Sequence, residues 1–565
     1  MFSLIHSPIH VTTKRTLGHD ELFIAFCKNR TLVFLSKEEK TLIKRTGVVT
    51  SVVPVSNEKN TMTVHYEKRI RKIGAKPKLI KFKFDNSADC DAFLAAFSSA
   101  REFIDSSSMK VQGEKAQIRV WVGTFNMGNK EPKEDFVNFI KSAADGAPDF
   151  IVYSAQEADY GSNSAEELFT LLTNAMSNLN YSLVIKRSFW QLRICVFVSF
   201  ALEPYVSNRF LSQEATGIFN VAGNKGGVVA SFNILGSPIA IVSSHLNAHQ
   251  GNVERRNEDF ASICNLVDLD IAPFDLLSNF HHIIWAGDLN YRIDQPMSQV
   301  IEDINSGNYE NLWPYDQLNL QMQLGKAFNG FIEGKINFPP TYKFKKGTNN
   351  YDIESKRIPA WCDRVLVRSF DGLQKSCLLY KDCPTVLTSD HHPVYALWQL
   401  DVVLPSPPPP PFASIIGVRP FIEISGLTVD IGSQITSVNA TFYSQFTDKS
   451  APLTTATGKG RKQVVFPNEC VPLLVPESFI APQYLKTLYV HILLSVNGKT
   501  AVAILPLAFA MVDIFRPFTL KAEYKLNEIG VVSGSLRMVS ASDPHIREQQ
   551  LRHQKTNKAF QFESR

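Results

Sequence analysis

The stretch Trp285-Ala286-Gly287-Asp288-Leu289-Asn290-Tyr291-Arg292 continues an apolar run that begins at Ile283. The run reads as a buried strand that delivers a carboxylate and a carboxamide, two residues apart, at its carboxyl end. Side chains alternate across an extended chain, so Asp288 and Asn290 share one face and Leu289 takes the other. A carboxylate placed there orients or deprotonates a water, and a carboxamide donates to a charged oxygen. Asp and Asn after a strand are also ordinary turn formers. The stretch therefore gains chemical meaning only from what accompanies it.

Working outward, other strand-like runs end or begin in polar residues in the same way. Ile118 to Phe125 leads into Asn126, Phe150 to Ser154 into Gln156-Glu157, and Ile239 to Ser243 into Ser244-His245-Leu246-Asn247-Ala248-His249. Ala360-Trp361-Cys362-Asp363-Arg364 and Thr388-Ser389-Asp390-His391-His392-Pro393 precede later strands. Helical stretches lie between, which is an α/β pattern over residues 117–402. Polar clusters remote in sequence but all at strand ends predict one catalytic rim.

With 565 residues the chain is too long for a single core, and several domains are expected. Its 44% hydrophobic and 20% charged residues are those of a globular protein. Met1 to His10 lacks the pattern of a signal peptide, and the apolar run Ala501 to Val512 is too short to span a bilayer and contains Pro506. Eight cysteines without a CxxC pair fit a reducing compartment and offer no zinc site. The expectation is a cytoplasmic protein. Of the net charge of +5, residues 1–110 carry +8, so the amino-terminal region is the one suited to an acidic partner surface.

That region, residues 1–110, reads as short β runs (Leu22–Phe26, Thr31–Leu35, Val48–Val53, Thr61–Tyr66, Leu79–Phe84) followed by a helix over 87–105. Strands closed by one helix resemble a pleckstrin-homology (PH) domain, a β-barrel plus helix. Lys68-Arg69-Ile70-Arg71-Lys72, with Lys76 and Lys78, forms a basic hairpin that reads equally as a membrane contact or a solvated turn. Residues 403–412 are proline-rich, an extended linker that is also a possible ligand for an SH3 or WW module. Residues 413–542 recur in β runs (Ile422–Ile431, Val438–Phe446, Leu485–Val496, Ala501–Leu507), read as a β-sandwich most like a C2 domain. No Asp cluster there suits calcium. Residues 543–565 are a polar tail.

The clusters together supply a phosphoryl-transfer site. Asn126 and Glu157 are a hard oxygen pair suited to magnesium. His245, Asp288, Asn290, Asp363, Asp390 and His391 offer groups to activate water, neutralise a phosphoryl group and orient an imidazole. Asn224-Lys225 within Gly223 to Gly227, Tyr342-Lys343 and Lys356-Arg357 are placed to hold further phosphates.

In sum these residues resemble the magnesium-dependent inositol polyphosphate 5-phosphatases. The matching stretches are Gly123-Thr124-Phe125-Asn126-Met127, Gln156-Glu157, Gly223 to Gly227, Ser244 to His249, Arg256-Asn257, Trp285 to Arg292, Pro339 to Lys343, Pro359 to Arg364 and Ser389-Asp390-His391, in the family's order. The resemblance implies a DNase I-like fold, two facing β-sheets flanked by helices, and removal of a 5-phosphate from an inositol ring. It implies that Glu157 binds Mg2+ with Asn126 beside it, that Asp288 prepares the attacking water, and that Asn290 holds phosphoryl oxygens. It further implies that His245 bonds the scissile phosphate, that Asp363 sets the tautomer of His391, and that Asp390 polarises from behind or holds metal waters.

By the same resemblance, Tyr342, Lys343 and Arg357 grip the 4-phosphate, and Asn224 and Lys225 meet the 1-phosphate. The family's lysine two residues before that arginine is replaced by Ser355, which leaves the role of Lys356 open. The implied substrates are phosphatidylinositol 3,4,5-trisphosphate or 4,5-bisphosphate at the cytoplasmic face of membranes. The following C2-like region and Met127-Gly128-Asn129 lean to the SHIP-like branch, although its SH2 domain is absent.

Two rival readings stay open: a DNase I-like nuclease, and a lipid-binding scaffold without activity. A cysteine-dependent phosphatase is disfavoured. Cys362 and Arg368 have Cys-x5-Arg spacing, but the residues between them are β-like and would hold the ends about 20 Å apart.

Overall fold

The computed structural model describes residues 9–14, 19–26, 31–35, 42–54, 60–70, 74–85, 89, 93, 110–112, 115–144, 146–216, 225–266, 274–404, 421–444, 451–474 and 485–539. It divides into two compact units, one of residues 1–109, 200–207 and 405–416, the other of the remainder.

The first unit contains a closed barrel of six strands: β1 (Ile9–Lys14), β2 (His19–Phe26), β3 (Thr31–Leu35), β4 (Leu42–Pro54), β5 (Thr61–Ile70) and β6 (Gly74–Phe84). β1, which the sequence pattern does not single out, closes it by pairing with β6. Alternation along β6 turns Leu79, Lys81 and Lys83 outward and buries Phe82 and Phe84 against Phe93. Of the helix expected over 87–105, only Asp89 and Phe93 are described. β5 and β6 form the expected basic hairpin, with Lys68 opposite Lys76, while Arg71 and Lys72 lie outside the described residues.

The chain from Lys110 to Leu404, which apart from residues 200–207 belongs to the second unit, builds two sheets that face each other. The first runs β10 (Tyr181–Phe189), β11 (Leu192–Ser199), β9 (Phe150–Gln156), β8 (Lys115–Asn126), β19 (Val394–Val403), β18 (Lys375–Asp382), with β7 (Lys110–Gln112) added to β8. The second runs β12 (Val206–Ala215), β13 (Gly226–Ile234), β14 (Ser237–His245), β15 (His282–Asp288), β17 (Asp363–Ser369), β16 (Ile332–Glu333). Across the gap the Ser154 and Ser243 hydroxyls of β9 and β14 meet at 2.6 Å. Helices cover the outer faces: Phe136–Ser142 and Ser164–Asn178 pack on the first sheet, Val253–Leu266 and Gln317–Gln323 on the second.

Register brings the chemistry to one rim. β8 and β9 are parallel with Asn126 opposite Gln156, and β14 and β15 are parallel with His245 opposite Asp288. β17 runs antiparallel to β15, so its first residue, Asp363, also lies opposite Asp288. Val394 opposes Thr124, which sets His391 just beyond that same end. Gly287 permits the close pairing of β14 and β15: at φ 155° a Cβ there would stand 2.0 Å from the Ser244 carbonyl oxygen.

The carboxyl-terminal region is all β, as expected, but differs in detail. The two expected strands Ile422–Ile431 and Val438–Phe446 are one strand, β20 (Phe421–Ser444), whose polar middle hid its continuity. β20 pairs through its first half with β25 (Asn527–Val539), through its second half with β22 (Tyr489–Val496), and along both with β21 (Ala451–Val465). With β23 (Lys499–Pro506) and β24 (Arg516–Tyr524), the strands β20, β22, β23, β24 and β25 close a ring, where the sequence reading expects a two-sheet sandwich. A single strand long enough to serve both edges makes that closure possible. The proline-rich linker beyond Leu404 and the polar tail lie outside the described residues. No described helix is long and apolar enough to cross a membrane.

Candidate active site

Asp288 is the hub. It is buried, and its Oδ2 accepts from Asn126 Nδ2 at 2.9 Å and lies 3.2 Å from His245 Nε2, while its Oδ1 accepts from the Asn290 backbone N–H at 3.0 Å. Burial works to raise its pKa, yet His245, His391 and Lys225 together hold the carboxyl well below its ordinary value. It is an acceptor at any physiological pH.

The two flanking imidazoles are driven apart. His391 Nδ1 lies 2.9 Å from Asp363 Oδ2, which also accepts from the Thr341 hydroxyl at 2.8 Å. Burial alone would lower the His391 pKa, but Asp363, with Asp288, pushes it up to about 9. For His245 burial comes first and the neighbouring Lys225 ammonium adds to it, so its pKa is lowered despite Asp288. One imidazole is thus held protonated and the other neutral beside the same carboxylate, the separation expected of distinct acid–base roles. Asp288, Asp363 and His391 each place a ligand-type atom within 4.8 Å of the others. Within the trio His391 Nδ1 bonds Asp363, while His391 Nε2 stands 4.0 Å from Asp288 Oδ2.

The expected magnesium pair fits on donor chemistry. Glu157, just past β9 at φ 47°, directs its partly exposed carboxylate to within 4.0 Å of His245 Nε2. Asn126 Oδ1 accepts one hydrogen bond, from the Gly128 N–H at 3.0 Å, and retains a second lone pair. Two hard oxygens at the edge of a water-accessible rim suit an ion that keeps most of its waters.

The remaining candidates are spread around this cluster. The Tyr342 ring packs against His391 with centroids 4.5 Å apart and planes tilted by 38°. Lys343 Nζ lies 3.6 Å from Asp352 and 3.9 Å from Asp390. Asp390 faces Lys343 and Lys346 and does not enter the Asp288 cluster. Arg357 is exposed and approaches His249 Nδ1 at 3.2 Å. Lys356 is exposed at φ 56°, a left-handed cap on the turn Ile353–Ser355, apart from the cluster. Lys225, expected to meet the 1-phosphate, has its Nζ 2.5 Å from His245 Nε2. Asn224 lies outside the described residues.

Asn290 keeps its place but not its freedom. Its Nδ2 donates to the Leu246 carbonyl at 3.1 Å, and its Oδ1 accepts from Arg292. Arg292, quoted in the opening stretch but assigned nothing, is buried with its guanidinium 4.4 Å over the Tyr342 ring. Strand alternation could not reveal this, because Asn290 is left-handed at φ 56° and the chain turns there. Thr341, Lys346 and His249 were also unassigned; for Thr341 and Lys346 the signal available was adjacency to the Tyr342-Lys343 pair. Cys362 is buried and followed by strand β17, and Arg368 donates to the Leu277 carbonyl, so no phosphate loop joins them.

Residues 123–397 match the Endonuclease/Exonuclease/phosphatase family 2. Phosphatidylinositol 3,4,5-trisphosphate 5-phosphatase 2 of Mus musculus is 31% identical over 312 residues, 52% of this chain and 25% of the relative. Phosphatidylinositol 3,4,5-trisphosphate 5-phosphatase 1 of Mus musculus is 31% identical over 315 residues, 52% of this chain and 26% of the relative. The matched region thus spans about a quarter of those relatives' length. Among solved structures, the inositol polyphosphate 5-phosphatase domain of a synaptojanin, in complex with inositol (1,4)-bisphosphate and calcium, is 28% identical, with a TM-score of 0.47, covering 52% of this chain and 87% of that one.

Proposed function

We infer, from the membership of residues 123–397 in the endonuclease/exonuclease/phosphatase family, that the chain is a magnesium-dependent phosphoinositide 5-phosphatase. The catalytic region has the DNase I-like fold of that family, and its homologues are named as phosphatidylinositol 3,4,5-trisphosphate 5-phosphatases. The substrate read from this is phosphatidylinositol 3,4,5-trisphosphate or 4,5-bisphosphate, and the product is the lipid without its 5-phosphate.

The observation that carries the reading is the convergence of Asn126, His245, Asp288 and His391 within hydrogen-bond or ion-pair reach, with Glu157 beside His245. Asp288, held ionised, takes up and orients the attacking water. His391, held protonated by Asp363, donates to a phosphoryl oxygen, and Lys225 supplies a second cation at the centre. Glu157 and Asn126 would hold Mg2+, which supplies charge neutralisation at the phosphoryl group when bound. Tyr342, Lys343 and Arg357 line the side on which a neighbouring ring phosphate is gripped.

The barrel with its basic β5–β6 hairpin is read as PH-like and the carboxyl-terminal ring as C2-like. Both are taken to bring the enzyme to anionic membrane surfaces, and the proline run is taken as a linker that offers an SH3 or WW ligand. The deciding test is phosphate release from a panel of soluble and lipid inositol phosphates, with magnesium or chelator, beside Asp288→Asn. Magnesium-dependent release from 5-phosphorylated members alone is the expected result. Plasmid nicking without such release would move the reading to a nuclease.

A further inference from the structure

Arg292 links two parts of the site that the proposed reaction uses separately. Its Nε donates to the Asn290 backbone carbonyl at 3.1 Å and its Nη2 to Asn290 Oδ1. A guanidinium only donates, so the side of the carboxamide facing it must be oxygen. The amide NH2 is thereby turned to the Leu246 carbonyl and the Asp288 end of the strand. The same guanidinium lies 4.4 Å over the Tyr342 ring, and Tyr342 in turn packs, tilted, against His391 and pairs with it through the backbone. Arg292 is buried, so its guanidinium has no solvent to turn to if either partner moves.

We propose that Arg292 is a positioning residue that couples a phosphate gripped at Tyr342 and Lys343 to the orientation of the Asn290 carboxamide. A phosphate vicinal to the scissile one then raises turnover as well as affinity. The proposal rests on the phosphatase reading above. A bound vicinal phosphate holds the Tyr342 ring, the ring holds the guanidinium by its face, and the guanidinium fixes the carboxamide. Without that phosphate the ring is held by the Arg292 and His391 contacts alone, and the aim of the carboxamide is less tightly fixed.

The test is steady-state hydrolysis of inositol 1,4,5-trisphosphate and inositol 1,5-bisphosphate by the full chain and its variants. In the unaltered protein, loss of the vicinal phosphate should lower kcat about 10-fold or more, beyond its effect on KM. Arg292→Gln should lower kcat on the trisphosphate by about 30-fold, leave KM within about threefold, and bring the two substrates to similar kcat. Tyr342→Leu should lower kcat to a similar degree and bring the two substrates to similar kcat, with an added rise in KM for the trisphosphate from the lost phosphate contact, and the double variant should cost little more in kcat than either single change. If Arg292→Gln does not fold by thermal melting, Arg292→Lys, which keeps the buried charge but not the planar double contact, carries the same expectation.

A kcat ratio that persists in the variants, or a rise in KM alone, would overturn the coupling while leaving the phosphatase reading intact. No phosphate release from either substrate by the unaltered protein would sink both.

Discussion

At the scale of single residues, Asp288 is the position where least can change. Both its oxygens accept, one from Asn126 and the other from the Asn290 N–H, and the first also stands 3.2 Å from His245 Nε2. In Asp288→Asn one of those oxygens becomes an NH2 and must face a donor. Phosphate release should fall by about 10³-fold or more, with melting temperature shifted only slightly. Asp363 makes a subtler case because it acts through His391. In Asp363→Asn the His391 pKa should drop from about 9 toward the ordinary imidazole value, and the alkaline limb of kcat/KM should move down with it. The folded-state pKa of His391 is raised, so its contribution to stability is full below the ordinary value and is lost as pH rises through about 9. Denaturant midpoints across that window should fall for the unaltered protein and stay flat for the variant.

Among elements, β15 shows what a sequence discloses and what it withholds. Its apolar run, its end at Asp288 and its place on the rim were all readable, because burial of both faces writes a continuous hydrophobic pattern. The convergence of Asn126, His245, Asp363 and His391 on it was readable for the same reason: each follows or precedes a strand. What alternation could not supply is anything past the left-handed Asn290, and that hides the role of Arg292. β20 failed differently. Its polar centre reads as a turn, yet sheet pairing on both halves keeps it extended. Gly287 offers an element-scale test. Gly287→Ala would drive a Cβ into the Ser244 carbonyl at a φ that side chains avoid, and it should destabilise the catalytic unit by about 3 kcal/mol or more in urea unfolding.

For the molecule as a whole, the contact between the catalytic sheets and the carboxyl-terminal ring governs how the second unit unfolds. Tyr489 is buried against Phe370 and His281 and donates its hydroxyl to the Asp371 carbonyl at 2.8 Å. His491 donates Nε2 to the Ser278 carbonyl at 2.8 Å, beneath Phe274 and Phe370. These contacts lie at the His282–Ser369 end of β15 and β17, the end opposite Asp288 and Asp363. Loss of the ring's docking should therefore reach stability before chemistry. Tyr489→Ala is expected to cost about 3 kcal/mol and to split one unfolding transition into two, with kcat on a soluble inositol phosphate unchanged. Burial lowers the His491 pKa, so the sign of the pH effect is the reverse of that at His391. The docked state keeps the imidazole neutral, and its stability is present above the ordinary imidazole pKa and is lost as pH falls below it. His282, held at about 4 by burial in the same region, works in the same direction. Comparing the unaltered protein with His491→Gln cancels every other titrating group. The difference in unfolding free energy between them should shrink as pH drops from about 7 to about 5. A difference that stays constant over that range would mean that His491 is not held neutral at the interface.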